Sequence, residues 1–119
     1  MIRLLAAASV AACTLSAPSF ADGWSFSALE DGLDRDACMT RARAVLDIYA
    51  RRFGADVDLV EGTWSLAGYD IGAGINTTFI CRTENGSDPT WLITHSVDRG
   101  DDDRSTVHDR VRGIWNSPK

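Results

Sequence analysis

The sequence predicts an α+β fold, a two-layer sandwich in which a three- to four-stranded antiparallel sheet carries two helices on one face. Three observations lead there. Apolar residues recur at helical period between Asp34 and Phe53, and again between Val107 and Trp115. Between those stretches, short alternating runs are separated by turn-forming residues. Strands joined by tight turns pair antiparallel, and each amphipathic helix needs an apolar surface to cover. The predicted order is (β)-α-β-β-β-α.

Trp24-Ser25-Phe26 alternates and reads as a short first strand or an arm packed on the core. Asp34 is an N-cap for a helix through Phe53, and Asp36 adds negative charge where the helix dipole favours it. Cys38, Ala42, Val45, Tyr49 and Phe53 form one apolar stripe, with Leu46 beside it. Gly54 ends the helix as a left-handed cap. Val57 to Leu66 reads as one strand, and Ala67 to Gly74 as a glycine-rich loop or the broken end of a hairpin. A strand from Ile75 to Thr83 puts Ile75, Thr77, Phe79 and Cys81 on one face. Glu84 to Pro89 is a turn, and Thr90 to Val97 is the antiparallel partner strand. Arg99 to Asp103 is an acidic connector in which Asp102 or Asp103 caps a last helix running to about Trp115. Its apolar stripe is Val107, Val111, Ile114 and Trp115.

The first residues point to export. Met1-Ile2-Arg3 is a short positive start, Leu4 to Ala17 is apolar but too short to span a bilayer comfortably, and Ser19-Phe20-Ala21 is a small-x-small cleavage site. The working reading is a signal peptide over residues 1–21, cleaved near Ala21, with a single domain over 22–119. That places the mature chain in the periplasm or outside the cell. A second reading takes Val10-Ala11-Ala12-Cys13 as a lipobox-like sequence, which would put a lipid anchor on Cys13. In an oxidising compartment Cys38 and Cys81 are the two cysteines left to pair. Cys38 lies on the buried face of its helix and Cys81 on the side of Phe79, so a disulfide would join helix to sheet. No CxxC spacing supports a redox or metal pair instead.

The full chain has a formal net charge of −5. Loss of Arg3 with the signal leaves 11 basic residues against 17 acidic. Such a chain would be repelled by nucleic acid and suits a basic protein as partner. No second apolar stretch is long enough to span a membrane.

No complete catalytic, metal or cofactor motif is spelled. His95 is the strongest catalytic candidate, with Glu61 or Asp70 as its acid. It shares a side of its strand with Trp91, Ile93 and Val97, and packing in the core is the simpler expectation. His108 falls one position off its helix stripe, beside Asp109 and Arg112, which reads as a solvated face. Asp98, Asp101, Asp102 and Asp103 form the densest carboxylate cluster, but Gly100 comes too early for an EF-hand loop and no Glu follows at the required distance. Gly62, Gly68, Gly72 and Gly74 spell no phosphate-binding loop, because no lysine and no helix start follows them. The glycine-rich loop can still carry a partner contact, with Trp64 and Tyr69 flanking it.

The mature chain resembles small exported α+β domains of Gram-negative bacteria that have no established activity. The resemblance is carried by Asp34 to Leu46 (DRDACMTRARAVL), by Thr77 to Thr83 (TTFICRT), and by the closing helix with Trp115. It implies one helix-to-strand disulfide and transfers no functional residue.

The expected function is non-catalytic binding of another protein, in the manner of an inhibitor or immunity protein. The expected contacts are Tyr69, Asp70, His95, Asp98, Asp101, Asp102 and Asp103. A small periplasmic enzyme using His95, or a carrier of a metal or small ligand, are the alternatives.

Overall fold

The computed structural model describes residues 22–29, 32–82, 88–97 and 99–119. The expected signal segment, most of the turn after Arg82, and Asp98 lie outside the described residues. The elements in chain order are β1 (Gly23–Leu29), α1 (Arg35–Phe53), β2 (Asp58–Glu61), β3 (Ser65–Tyr69), β4 (Ile75–Ile80), β5 (Thr90–Ser96) and α2 (Asp101–Asn116). The strands form one open sheet in the order β1-β5-β4-β3-β2, antiparallel throughout. The α+β class is as expected. Among the described residues, however, the sheet has five strands rather than three to four.

The extra strand comes from a hidden turn. Val57 to Leu66 was expected to run straight, but the Gly62 N–H donates to the Ser65 carbonyl at 2.8 Å and folds the segment back on itself. A side chain at Gly62 would bring its Cβ within 2.9 Å of the Ser65 hydroxyl oxygen. β2 and β3 are therefore two arms of a hairpin, with Asp58 opposite Tyr69 and Glu61 opposite Leu66. The glycine-rich stretch is correspondingly shorter as a loop, because Ala67 to Tyr69 belong to β3.

Both helices lie on the sheet face that carries Leu66, Ile75, Phe79 and Leu92. α1 contributes Cys38, Met39, Ala42, Val45, Leu46 and Tyr49 to the core, and α2 contributes Val107, Val111, Ile114 and Trp115. Phe79 and Trp115 stack at 5.2 Å between ring centroids. Gly68 allows the close approach of α1 to β3: a Cβ there would lie 2.9 Å from Val57 and 3.3 Å from Leu46. Arg41 lies over the Trp115 ring, 5.0 Å from its centroid, and its guanidinium donates to the Trp115 carbonyl. That contact ties α1 to the negative end of the α2 dipole.

The caps follow the sequence in one helix and depart from it in the other. The Asp34 carboxylate accepts from the Ala37 N–H at 2.8 Å, and Gly54 closes α1 with φ of 63°. α2 begins earlier than expected. Gly100 is its N-cap without a side-chain hydrogen bond, and Asp101, Asp102 and Asp103 occupy the first turn, where negative charge is favourable.

Cys38, in the first turn of α1, is bonded to Cys81, which directly follows β4. Their Cα atoms are 5.7 Å apart and their sequence separation is 43. Both are fully buried, and the Thr90 hydroxyl donates to the Cys38 sulfur at 3.0 Å. The bond thereby fastens the start of α1 to the sheet at the junction of β4 and β5. Replacing both residues, Cys38→Ala with Cys81→Ala, should cost about 4 kcal/mol through restored freedom of the unfolded chain. Urea unfolding of the variant beside the oxidised parent, each fitted with its own m-value, measures the difference.

Candidate functional site

Strand alternation sends every second residue away from the helices. In β5, Thr90, Leu92, Thr94 and Ser96 are buried, while Trp91, Ile93 and His95 point to the uncovered face. The register carries this across the sheet in rows. Trp24, His95 and Asn76 form one row; Phe26, Ile93, Thr78, Ala67 and Val60 form the next; Ala28, Trp91, Ile80 and Ser65 form a third. An antiparallel sheet with one face in water usually carries polar residues there. Here aromatic and aliphatic residues dominate. Phe26 is 60% exposed, Trp24 57%, Val60 51%, and Trp91 and Tyr69 45% each. Trp24, Phe26 and Trp91 cluster on β1 and β5, and Val60 and Tyr69 lie across Asn76 and Thr78 on β2 and β3, so the open face carries an aromatic cluster at one edge and a smaller apolar group at the other. Exposed apolar surface of this kind is a candidate interaction site.

His95 belongs to this open face and not to the core. Its ring packs on Trp24 at 4.1 Å between centroids, and Trp24 in turn stacks with Phe26 at 6.2 Å. The expectation of core packing is reversed because the polar members of β5, not the aromatic ones, face the helices. Trp64 is also partly exposed, with Arg35 5.4 Å from its ring centroid.

One end of the sheet is acidic. Asp22 precedes β1, Asp58 opens β2, and Asp70 follows β3; in this antiparallel topology all three lie at the same end. Asp58 is on the open face opposite Tyr69. Asp70 sits in the tight turn before β4 with φ of 55°, and its N–H donates to the Asn76 side-chain oxygen at 3.0 Å. α2 starts at this end too, so Asp101, Asp102 and Asp103 stand on the helix layer behind it. Among the described residues, Asp22, Asp58, Asp70, Asp102 and Asp103 make no ion pair, while Asp101 pairs with Arg104 at 2.8 Å. Of the contacts expected from sequence, the structure thus gathers Tyr69, Asp70 and His95 at one end of the open face, with Asp101 to Asp103 in the second layer. Asp98 lies outside the described residues.

Glu61, the other acid considered for His95, is on the opposite side of the sheet. It opposes Leu66 and accepts from Arg43 of α1 at 2.5 Å. The second histidine is buried, contrary to the solvated placement expected for it. His108 Nε2 lies 2.7 Å from the Ser27 hydroxyl and its Nδ1 2.8 Å from the Thr94 hydroxyl, which reaches Thr77 at 3.2 Å. The four groups form a polar seam between α2 and the inner sheet face. His108 is three residues from Val111 and seven from Trp115, so it sits on the widened edge of the apolar stripe. That spacing was the available signal for its burial.

Two surface grooves are formed among the described residues. One, of about 370 Å³, runs between the end of α1 and α2 and is lined by Tyr49, Ile71, Val107, Arg99 and Arg110. The other, of about 440 Å³, lies at the start of α1 beside Met39, Arg43 and Glu61. Neither is lined by His95, His108 or Ser27. Among the described residues no group of three His, Cys, Asp or Glu side chains is placed to hold a metal ion, and no helix is long and apolar enough to cross a membrane. In comparisons with protein-family models, curated proteins and solved structures, nothing matches this chain. The established description is a small α+β fold with one disulfide.

Burial pushes the His108 pKa below its usual value, the positive charges of Arg112 and Arg104 add to that, and Asp109 opposes it. The unfolded chain therefore takes up a proton first as the pH falls. The contribution of neutral His108 is whole above the ordinary histidine pKa of about 6.5 and is lost as the pH drops below it. Urea midpoints measured from about pH 7.5 to about pH 5.5 should fall for the parent and fall less steeply for His108→Gln.

Proposed function

We propose that this chain is a non-catalytic binding protein that engages another protein through the open face of its sheet. The observation that carries the reading is the exposed aromatic cluster of β1 and β5: Trp24, Phe26 and Trp91 on two hydrogen-bonded neighbouring strands. Aromatic residues are enriched in the buried centres of protein interfaces, and tryptophan and tyrosine supply much of the binding energy there. Ile93, Ile80, Ala67 and Val60 fill the space between the aromatics. Aliphatic rows of this sort suit the interdigitating side chains of a protein better than the flat faces of a sugar. Trp24 is moreover already stacked on His95.

A disulfide between buried cysteines is compatible with a periplasmic or extracellular site of action. In that setting an inhibitor- or immunity-like role agrees with the exposed platform. The enzyme reading loses Glu61 to the far side of the sheet, and the deep Ser27–His108 pair has both ring nitrogens occupied by hydroxyls.

Phe26→Ser with Trp91→Ser removes the platform without touching the core. Surface changes of this kind shift stability by about 0.5 kcal/mol or less each. The doubly substituted chain should stay folded, with its melting temperature lowered by no more than about 8 °C, and lose tenfold or more in affinity, roughly the effect of removing one hot spot. The measurement is saturable capture from periplasmic extract or secreted protein, with hydrogen exchange of β1 and β5 in the captured complex. Equal capture by parent and variant, or no saturable partner, overturns the reading.

A further inference from the structure

We infer that the open face takes a basic protein surface, in which lysine or arginine side chains border an apolar patch, and that the cations seat over the Asp22, Asp58 and Asp70 end of the sheet. This rests on the reading of the open face as a protein-binding platform and adds the chemistry and orientation of the partner.

The charge on this molecule is unevenly placed. At the Asp22 end, Asp22 adjoins Trp24 along the chain and Asp58 shares its face with Tyr69; among the described residues Asp22, Asp58 and Asp70 have no ion-pair partner. Of the cations nearest that end, Arg104 is buried and held by Asp101, and Arg99 donates to the Ala73 carbonyl. The opposite end is balanced. Arg43 pairs with Glu61 and Arg35 with Asp36, and Arg82 after β4 faces an end that also carries Asp88.

This distribution selects among occupants. A second copy laid face to face would set the acidic end either on another acidic end or on the balanced one. Neither offers a net positive surface, since Arg99 stands among the carboxylates and Arg82 beside Asp88, and each copy carries a formal charge of −5. Like charges brought together across an interface cost several kcal/mol. Nucleic acid would meet the same repulsion. A neutral glycan would gain nothing from the carboxylates. A basic protein gains twice, because its charges are steered to the acidic end and its apolar centre covers Phe26, Ile93 and Val60.

The test uses three synthetic probes on the full chain, followed by amide chemical shifts: a peptide alternating lysine with tryptophan, its counterpart with glutamate for lysine, and a lysine homopolymer. The alternating lysine peptide should shift the amides of Phe26, Trp91, His95, Asp58 and Asp70. Asp58→Asn with Asp70→Asn should weaken it about tenfold at low salt and flatten its salt dependence. Phe26→Ser with Trp91→Ser should abolish the shifts. If the glutamate peptide binds as well, or the asparagine variant binds like the parent, the charge assignment is overturned while the platform stands. Shifts that persist in the serine variant overturn the platform itself. Equal binding of the homopolymer to parent and serine variant, or concentration-dependent shifts of the chain alone, also overturn the inference, the first by unspecific attraction and the second by self-association.

Discussion

A strand residue faces one side of its sheet and its neighbour faces the other, so covering one face with helices decides the fate of half the side chains. Here both helices pack on the side of Leu66, Phe79 and Leu92. No element of the described chain lies over the side of Phe26, Ile93 and Val60. The stability of the fold and the character of the candidate site are thus two results of one arrangement. The Cys38–Cys81 bond reinforces it at the point where slippage would do most damage. It fastens the first turn of α1 to the end of β4, so the helix cannot shift along the sheet without breaking a covalent link. In a domain of this size that constraint supplements a core made of few side chains.

Much of this was legible in the sequence. The α1 stripe, its caps at Asp34 and Gly54, the buried side of β4 and the cysteine pair are all local patterns with local causes. The turn at Gly62 was not legible, because Val57 to Leu66 alternates in a way that suits one long strand as well as two short ones. The distinction lies in a single hydrogen bond, from Gly62 to Ser65, and in the pairing of β2 with β3. Pairing is a property of the sheet and leaves no mark on either strand alone.

The two histidines show the same limit from another direction. His95 stands among Trp91, Ile93 and Val97, and its alternation identifies a shared face without saying which face the helices cover. Apolarity suggested the core, and the core took the other set. That set includes Thr77, Thr90, Thr94 and Ser96, which are tolerated inside because hydroxyl partners are near: Thr94 meets both Thr77 and His108. The spacing of His108 to Val111 and Trp115 marks its side of the helix, but its partners, the Ser27 and Thr94 hydroxyls, come from strands distant in sequence. Of the expected contacts, Tyr69, Asp70 and His95 come to one end of the sheet. The reason is topological, as β3 ends and β5 ends beside the start of β4.

An apolar face left in water invites self-association, and the rest of the surface works against it. β2, at one edge of the sheet, is only four residues long and carries Asp58 and Glu61 at its ends, which discourages another strand from pairing there. The carboxylates at the Asp22 end raise the cost of stacking two faces of the same kind, while leaving the aromatic row itself uncovered. A surface that is apolar at its centre and predominantly acidic at one end repels its own image and remains open to a surface of opposite sign. Discrimination of this kind needs both the attractive centre and the repulsive border. In this chain the two meet at Tyr69 and Asp58, on adjacent strands and on the same face.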